Sequence, residues 1–74
     1  MSNSTKLLWL LRIYGPCSVA VLMRTSRWGR DKVTSALRHL RDRDLAERRE
    51  WATYRLTERG ARRLEGENLF AESP

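Results

Sequence analysis

Apolar positions in the first part of the chain recur at helical spacing. Leu7, Leu11 and Tyr14 stand at i, i+4 and i+7, and Leu8 and Leu10 widen the same face. Residues Thr5 to Tyr14 are therefore expected to form a helix, with Ser4 at its N-cap. Gly15-Pro16 ends it, because proline cannot continue a helix and glycine accepts the left-handed cap conformation. Ser18 can cap a second, short helix running to about Thr25, with Val19, Leu22 and Met23 on one face. Ser26-Arg27-Trp28-Gly29 then reads as a turn, and Trp28 as a plug between two helices rather than a base-stacking residue. The third pattern is the sharpest. From about Arg30 to Arg43, Val33, Ala36, Leu37 and Leu40 fall at i, i+3, i+4 and i+7 and make one narrow apolar stripe. The opposite face carries Asp31, Ser35, Arg38 and Asp42, flanked by Thr34, His39 and Arg41. One side is built to pack and the other to meet something polar.

Past this helix the period changes. Leu45 to Arg49 and Thr53 to Leu56 have strand character, and in the second run Tyr54 and Leu56 alternate with Thr53 and Arg55. Joined by Glu50-Trp51-Ala52, they predict a small antiparallel hairpin, whose turn type is left open by the absence of glycine. Thr57 and Glu58 start a last helix through about Glu65, with Ala61 and Leu64 inward and Gly66 as its stop. The expected fold class is mainly α with a small β-hairpin (α+β), in the order helix-helix-helix-strand-strand-helix. It occupies a single domain over residues 1–74, with 1–4 and 67–74 as flexible ends.

Composition sharpens this picture. The 74 residues hold 15 Lys and Arg against 9 Asp and Glu, a formal charge of +6, and lysine supplies only Lys6 and Lys32. The planar guanidinium fork suits phosphate oxygens and guanine edges. A balance this basic points to a polyanionic partner, either nucleic acid or an anionic membrane. The apolar stretch Leu7 to Leu11 is too short for a signal peptide or a membrane span, so a cytoplasmic location and no membrane partner are expected. Cys17 is the sole cysteine, which excludes an intramolecular disulfide and leaves no zinc-ligand spacing. Neither metal nor cofactor is expected, and His39 reads as a solvated or phosphate-facing side chain. Cys17 reads as a buried structural thiol, with redox sensing as the alternative. Without paired carboxylates in an apolar setting, a Gly-rich phosphate loop or a nucleophile-histidine arrangement, an enzyme is not expected.

Two helices joined by a tight turn, the second with a basic outer face, describe a helix-turn-helix, and the hairpin adds a wing. The stretch SVAVLMRTSRWGRDKVTSALRHLRDRDLAERR, from Ser18 to Arg49, resembles the core of winged helix-turn-helix regulators of the MarR, PadR and ArsR kind. Their V-x-x-x-L-x-x-L rhythm is matched by Val33, Leu37 and Leu40, and the opening of their wing by Leu45-Ala46. YRLTERGARRLE, from Tyr54 to Glu65, is similar to the Y-x-L-T-x-x-G that ends the wing in those families. Where they place a glycine ahead of the wing, this chain has Asp44, which also tolerates left-handed geometry. The resemblance implies a DNA-binding transcriptional regulator such as a repressor. It implies no small-molecule ligand, since the sensing helices of larger relatives have no counterpart in the segment.

The expected partner is double-stranded DNA, giving a nucleoid-associated protein. The helix of about residues 30–43 would enter the major groove. Arg30, Lys32, Thr34, Ser35, Arg38 and Arg41 are its candidate contacts, with Arg38 placed for guanine readout. Asp31 and Asp42 would repel phosphate unless paired with arginine or accepting from a cytosine amine. In the wing of about residues 45–56, Arg48, Arg49 and Arg55 are candidates for backbone or minor-groove contact. The alternative there is a solvated hairpin with Arg49 paired to Glu50 or Glu47. Trp51 is either an exposed wedge or folded back on the helix. Arg62 and Arg63 read as solvent-facing. A homodimer through Trp9, aided by Leu69 and Phe70, would place two such helices on a palindromic site, unless Trp9 simply caps the core edge. The alternatives are an architectural or excisionase-like DNA-binding protein and a winged helix that contacts protein within a nucleic-acid complex.

Overall fold

A serine two residues ahead of the expected cap starts the first helix. In the computed structural model, which describes residues 2–72 and their side chains except at 51 and 67–72, α1 runs Asn3–Tyr14. The Thr5 amide donates to Ser2 Oγ at 3.1 Å, and the two hydroxyls lie 2.8 Å apart, so Ser2 is the N-cap and Ser4 lies inside the helix. Residues 2–4, expected as a flexible end, therefore belong to a capped helix. Leu7, Leu8 and Leu11 are buried. Tyr14, expected inward, is 57% exposed. It is the last residue of α1, one turn beyond Leu11, where the chain turns away at Gly15 (φ +75°).

Cys17–Ser18 form a two-residue strand, β1, too short for any alternation to announce it. Ser18 then caps α2 (Val19–Ser26), its Oγ accepting from the Val21 amide at 3.2 Å. The left-handed C-cap of α2 is Arg27, at φ +63°, rather than a glycine. The turn is held by the buried Ser26, whose Oγ donates to the Leu22 carbonyl at 2.5 Å and accepts from the Trp28 amide at 3.1 Å. Trp28 packs half-buried against the core, in line with the plug expected of it. Gly29 is the N-cap of α3 (Arg30–Asp42), which buries Val33, Ala36, Leu37 and Leu40 as its pattern predicts.

Asp44 adopts φ +58°, the left-handed geometry that the wing entry requires, and the Leu45 amide reaches back to the Leu40 carbonyl at 2.9 Å. β2 (Ala46–Arg49) and β3 (Thr53–Leu56) follow, joined by a 3-10 turn at Glu50–Ala52 in which Ala52 takes φ +56°. All pairs are antiparallel, in the order β1-β3-β2. α4 (Glu58–Glu72) is capped by Thr57, whose Oγ1 accepts from the Gly60 amide at 3.0 Å and donates to the Asp44 carbonyl at 2.6 Å. One threonine thus starts α4 and ties it to the base of the wing. Gly60 sits against the same base: a Cβ there would meet the Leu45 carbonyl oxygen at 2.0 Å. Gly66 does not end α4, which continues to Glu72. A glycine inside a helix costs about 1 kcal/mol relative to alanine, too little to stop one alone.

The core is one cluster centred on Leu7, Leu22, Val33, Leu37, Leu40 and Leu64. α1, α2 and α3 pack on one another, while α1 meets β3 and α3 meets β2. This is a winged helix-like α+β fold. Among the described residues no helix is long and apolar enough to cross a membrane.

Candidate nucleic-acid interface

Burying Val33, Ala36, Leu37 and Leu40 leaves the opposite side of α3 in water. Arg30, Lys32, Thr34, Ser35, Arg38 and Arg41 are all exposed, as are His39 and Asp42. Among the described residues no carboxylate lies within ion-pair distance of Arg30, Lys32, Arg38 or Arg41. Their charge is therefore available to an external anion. Asp31 stands in the first turn, where a negative charge complements the helix dipole. Neither Asp31 nor Asp42 makes an ion pair among the described residues, so each has its acceptor oxygens open to water or a donor. Thr34 donates its hydroxyl to the Arg30 carbonyl at 3.0 Å and approaches the Asp31 carbonyl at 3.2 Å. It can accept from a partner as it stands, and must rotate to donate to one.

The wing is arranged differently. Side chains alternate across a strand, so Ala46 and Arg48 share one face of β2 while Glu47 and Arg49 share the other. Ala46 is buried, which turns the face bearing Arg48 toward the helices. Glu47 stands opposite Arg55 in the ladder, and Arg55 Nε donates to Glu47 Oε1 at 2.5 Å. Glu47, one of the two glutamates that the solvated-hairpin alternative gave to Arg49, pairs with Arg55 instead. Glu47 and Arg55 stand directly opposite across the ladder, whereas Glu47 and Arg49 are two residues apart along one strand. Arg48 and Arg49 are exposed and leave the strand on opposite faces.

A second concentration of arginine escaped the sequence reading. A groove of about 730 Å³ between the C-terminal end of α3 and α4 is lined by Arg43, Arg59, Arg62 and Arg63 together with Asp42 and Asp44. These residues come from distant segments, so neither helical pattern alone reveals them. The charge is partly compensated, since Arg62 donates to Glu58 at 2.5 Å one turn earlier in α4.

Trp9, expected at a dimer interface, packs part of its ring against the core. The side chains of Leu69, Phe70 and Trp51 lie outside the described residues. The large apolar side chains most exposed among the described residues are Ile13, Tyr14 and Val21. Cys17 is buried and donates Sγ–H to the Gly15 carbonyl at 3.1 Å, and desolvation pushes its thiol above the usual range. A raised thiol has little reactive thiolate near neutrality. Among the described residues no group of His, Cys, Asp and Glu is placed to hold a metal ion. The arrangement offers surface charge on a helix anchored by its buried stripe. In comparisons with protein families, curated proteins and solved structures, nothing matches this chain.

Proposed function

We propose that this chain binds duplex DNA sequence-specifically as a transcriptional regulator, with α3 in the major groove and the β2–β3 wing on the adjacent backbone or minor groove. The observation that carries the reading is the uncompensated charge of Arg30, Lys32, Arg38 and Arg41 on a helix whose other side is buried. An α-helix fits the major groove, where each base pair shows a distinct donor and acceptor pattern. Arg38 is central on the exposed face and takes the role of guanine reader, while Arg30, Lys32 and Arg41 contact phosphates. Ser35 and Thr34 contact phosphate or base. Arg49 reaches phosphate from the outer face of the wing and Arg48 from the face turned toward the helices. Arg55 contributes less, because Glu47 already holds it.

A homodimer would place two copies of α3 about one DNA turn apart on a palindromic site. The apolar exposure of Ile13 and Tyr14, on the helix expected to carry the interface, supports it. Light scattering that shows only monomer at tens of micromolar would remove the dimer.

The DNA reading is tested by fluorescence anisotropy with random and with selected duplexes at two salt concentrations, comparing wild type with Arg38→Ala. Binding should weaken by roughly 10³-fold between 50 and 200 mM salt if about six phosphates are neutralised. The variant should lose preference for selected over random duplex. Binding without any sequence preference in the wild type would instead make the protein architectural. No binding at low salt would move the search to protein partners.

A further inference from the structure

The only two lysines of the chain converge on one tryptophan. Lys6 Nζ, from α1, lies 5.0 Å from the centroid of the Trp28 ring, and Lys32 Nζ, from α3, lies 4.5 Å from it. The two ammonium groups are therefore no further apart than the sum of those distances. Among the described residues neither has a carboxylate within ion-pair distance, and α1 contains no acidic residue at all. Two like charges drawn together without a counter-charge form a local positive focus that a bound anion would relieve.

We propose that Lys6 and Lys32, braced on Trp28, form a two-point clamp for phosphodiester groups and carry the interface from α3 onto α1. The proposal rests on the duplex reading of α3 and adds Lys6 and Trp28, which that reading does not use. Trp28 is a fixed platform, since its amide donates to Ser26 Oγ and its ring packs on the core. A lysine held over an indole has lost part of its rotamer freedom before any ligand arrives, which lowers the cost of binding. The ring attracts the cation through its π-face and accepts no strong hydrogen bond, so the ammonium N–H groups stay available to phosphate oxygens. The residue type fits as well. Arginine is used almost everywhere else, whereas an ammonium is a compact point charge suited to sequence-independent contact with phosphate. Without a ligand role, the two stems would simply cover the indole, and their removal would alter packing but not the response to salt.

The test measures duplex affinity across a salt series for wild type, Lys6→Ala, Lys32→Ala and the double variant, with thermal melting as a check on folding. A second measurement follows the Trp28 indole N–H resonance of the wild type during titration with inorganic pyrophosphate. The clamp predicts that each substitution weakens random and selected duplex alike and lowers the salt slope by about 1. It also predicts that pyrophosphate shifts the Trp28 resonance in the wild type and not in the double variant. Wild-type affinity and slope in the folded Lys6→Ala variant would overturn the clamp and leave standing the α3 reading, which uses Lys32 but not Lys6. If the wild type binds no duplex yet pyrophosphate shifts the resonance, the clamp stands as a phosphate site and the duplex reading falls. If neither ligand has an effect, both fall.

Discussion

α3 and the wing carry basic residues of similar density but manage them in opposite ways. In α3 the period of 3.6 sends every apolar residue to one side, so Arg30, Lys32, Arg38 and Arg41 are all left exposed and, among the described residues, without carboxylate partners. In the wing the period of 2 splits the arginines between two faces, and the ladder brings Glu47 onto Arg55. The same residue type is thus a free cation on the helix and a partly neutralised one on the strand. Formal charge alone does not locate an interface; the secondary-structure period decides which charges add.

The contrast can be broken outright by removing what holds each element. Leu40→Ala, in the fully buried stripe of α3, should cost about 2–5 kcal/mol in a denaturant titration, a large share of the stability of so small a domain. On the wing side, Gly60→Ala places a methyl against a backbone carbonyl that cannot rotate away, and should cost about 1–3 kcal/mol or more. A melting temperature equal to that of wild type would show that α4 and the wing base can separate freely.

Charge substitutions sharpen the comparison without unfolding either element. Arg38→Ala should lower affinity for a selected duplex by roughly ten- to a hundredfold and relax sequence preference. Arg49→Ala should act several-fold and equally on all duplexes, lowering the salt slope by about 1. Equal effects from these two changes would erase the distinction between helix and wing. The smallest change tests the neutralisation itself. Glu47→Gln removes the partner of Arg55, and duplex affinity should rise a few-fold while stability falls by less than about 1 kcal/mol, because the pair is half-exposed. Unchanged or weaker binding would mean that Arg55 has no access to the ligand.

The helices and the hairpin were legible because each repeats its pattern over enough residues. Val33, Ala36, Leu37 and Leu40 state the α3 stripe twice, and Tyr54 and Leu56 mark the inner face of β3. Asp44 was legible as a left-handed position because aspartate tolerates that geometry at the turn between a helix and a strand. What escaped is what depends on neighbours distant in sequence. β1 exists only because Cys17 and Ser18 lie beside Tyr54 and Thr53. The exposure of Tyr14 depends on where the core ends, not on the helical wheel. The pairing of Glu47 with Arg55 and the meeting of Lys6 and Lys32 at Trp28 are likewise contacts across the fold that no local pattern encodes.

Whether DNA binds on the uncompensated face of α3 can be read by amide chemical-shift mapping of the wild-type chain with an unlabelled duplex. The largest shifts are expected along Arg30 to Arg41, smaller ones at Arg48 and Arg49, and little change in α4. Shifts concentrated around Arg43, Arg59 and Arg62, with α3 unmoved before Arg41, would contradict it and place the interface in the groove between α3 and α4.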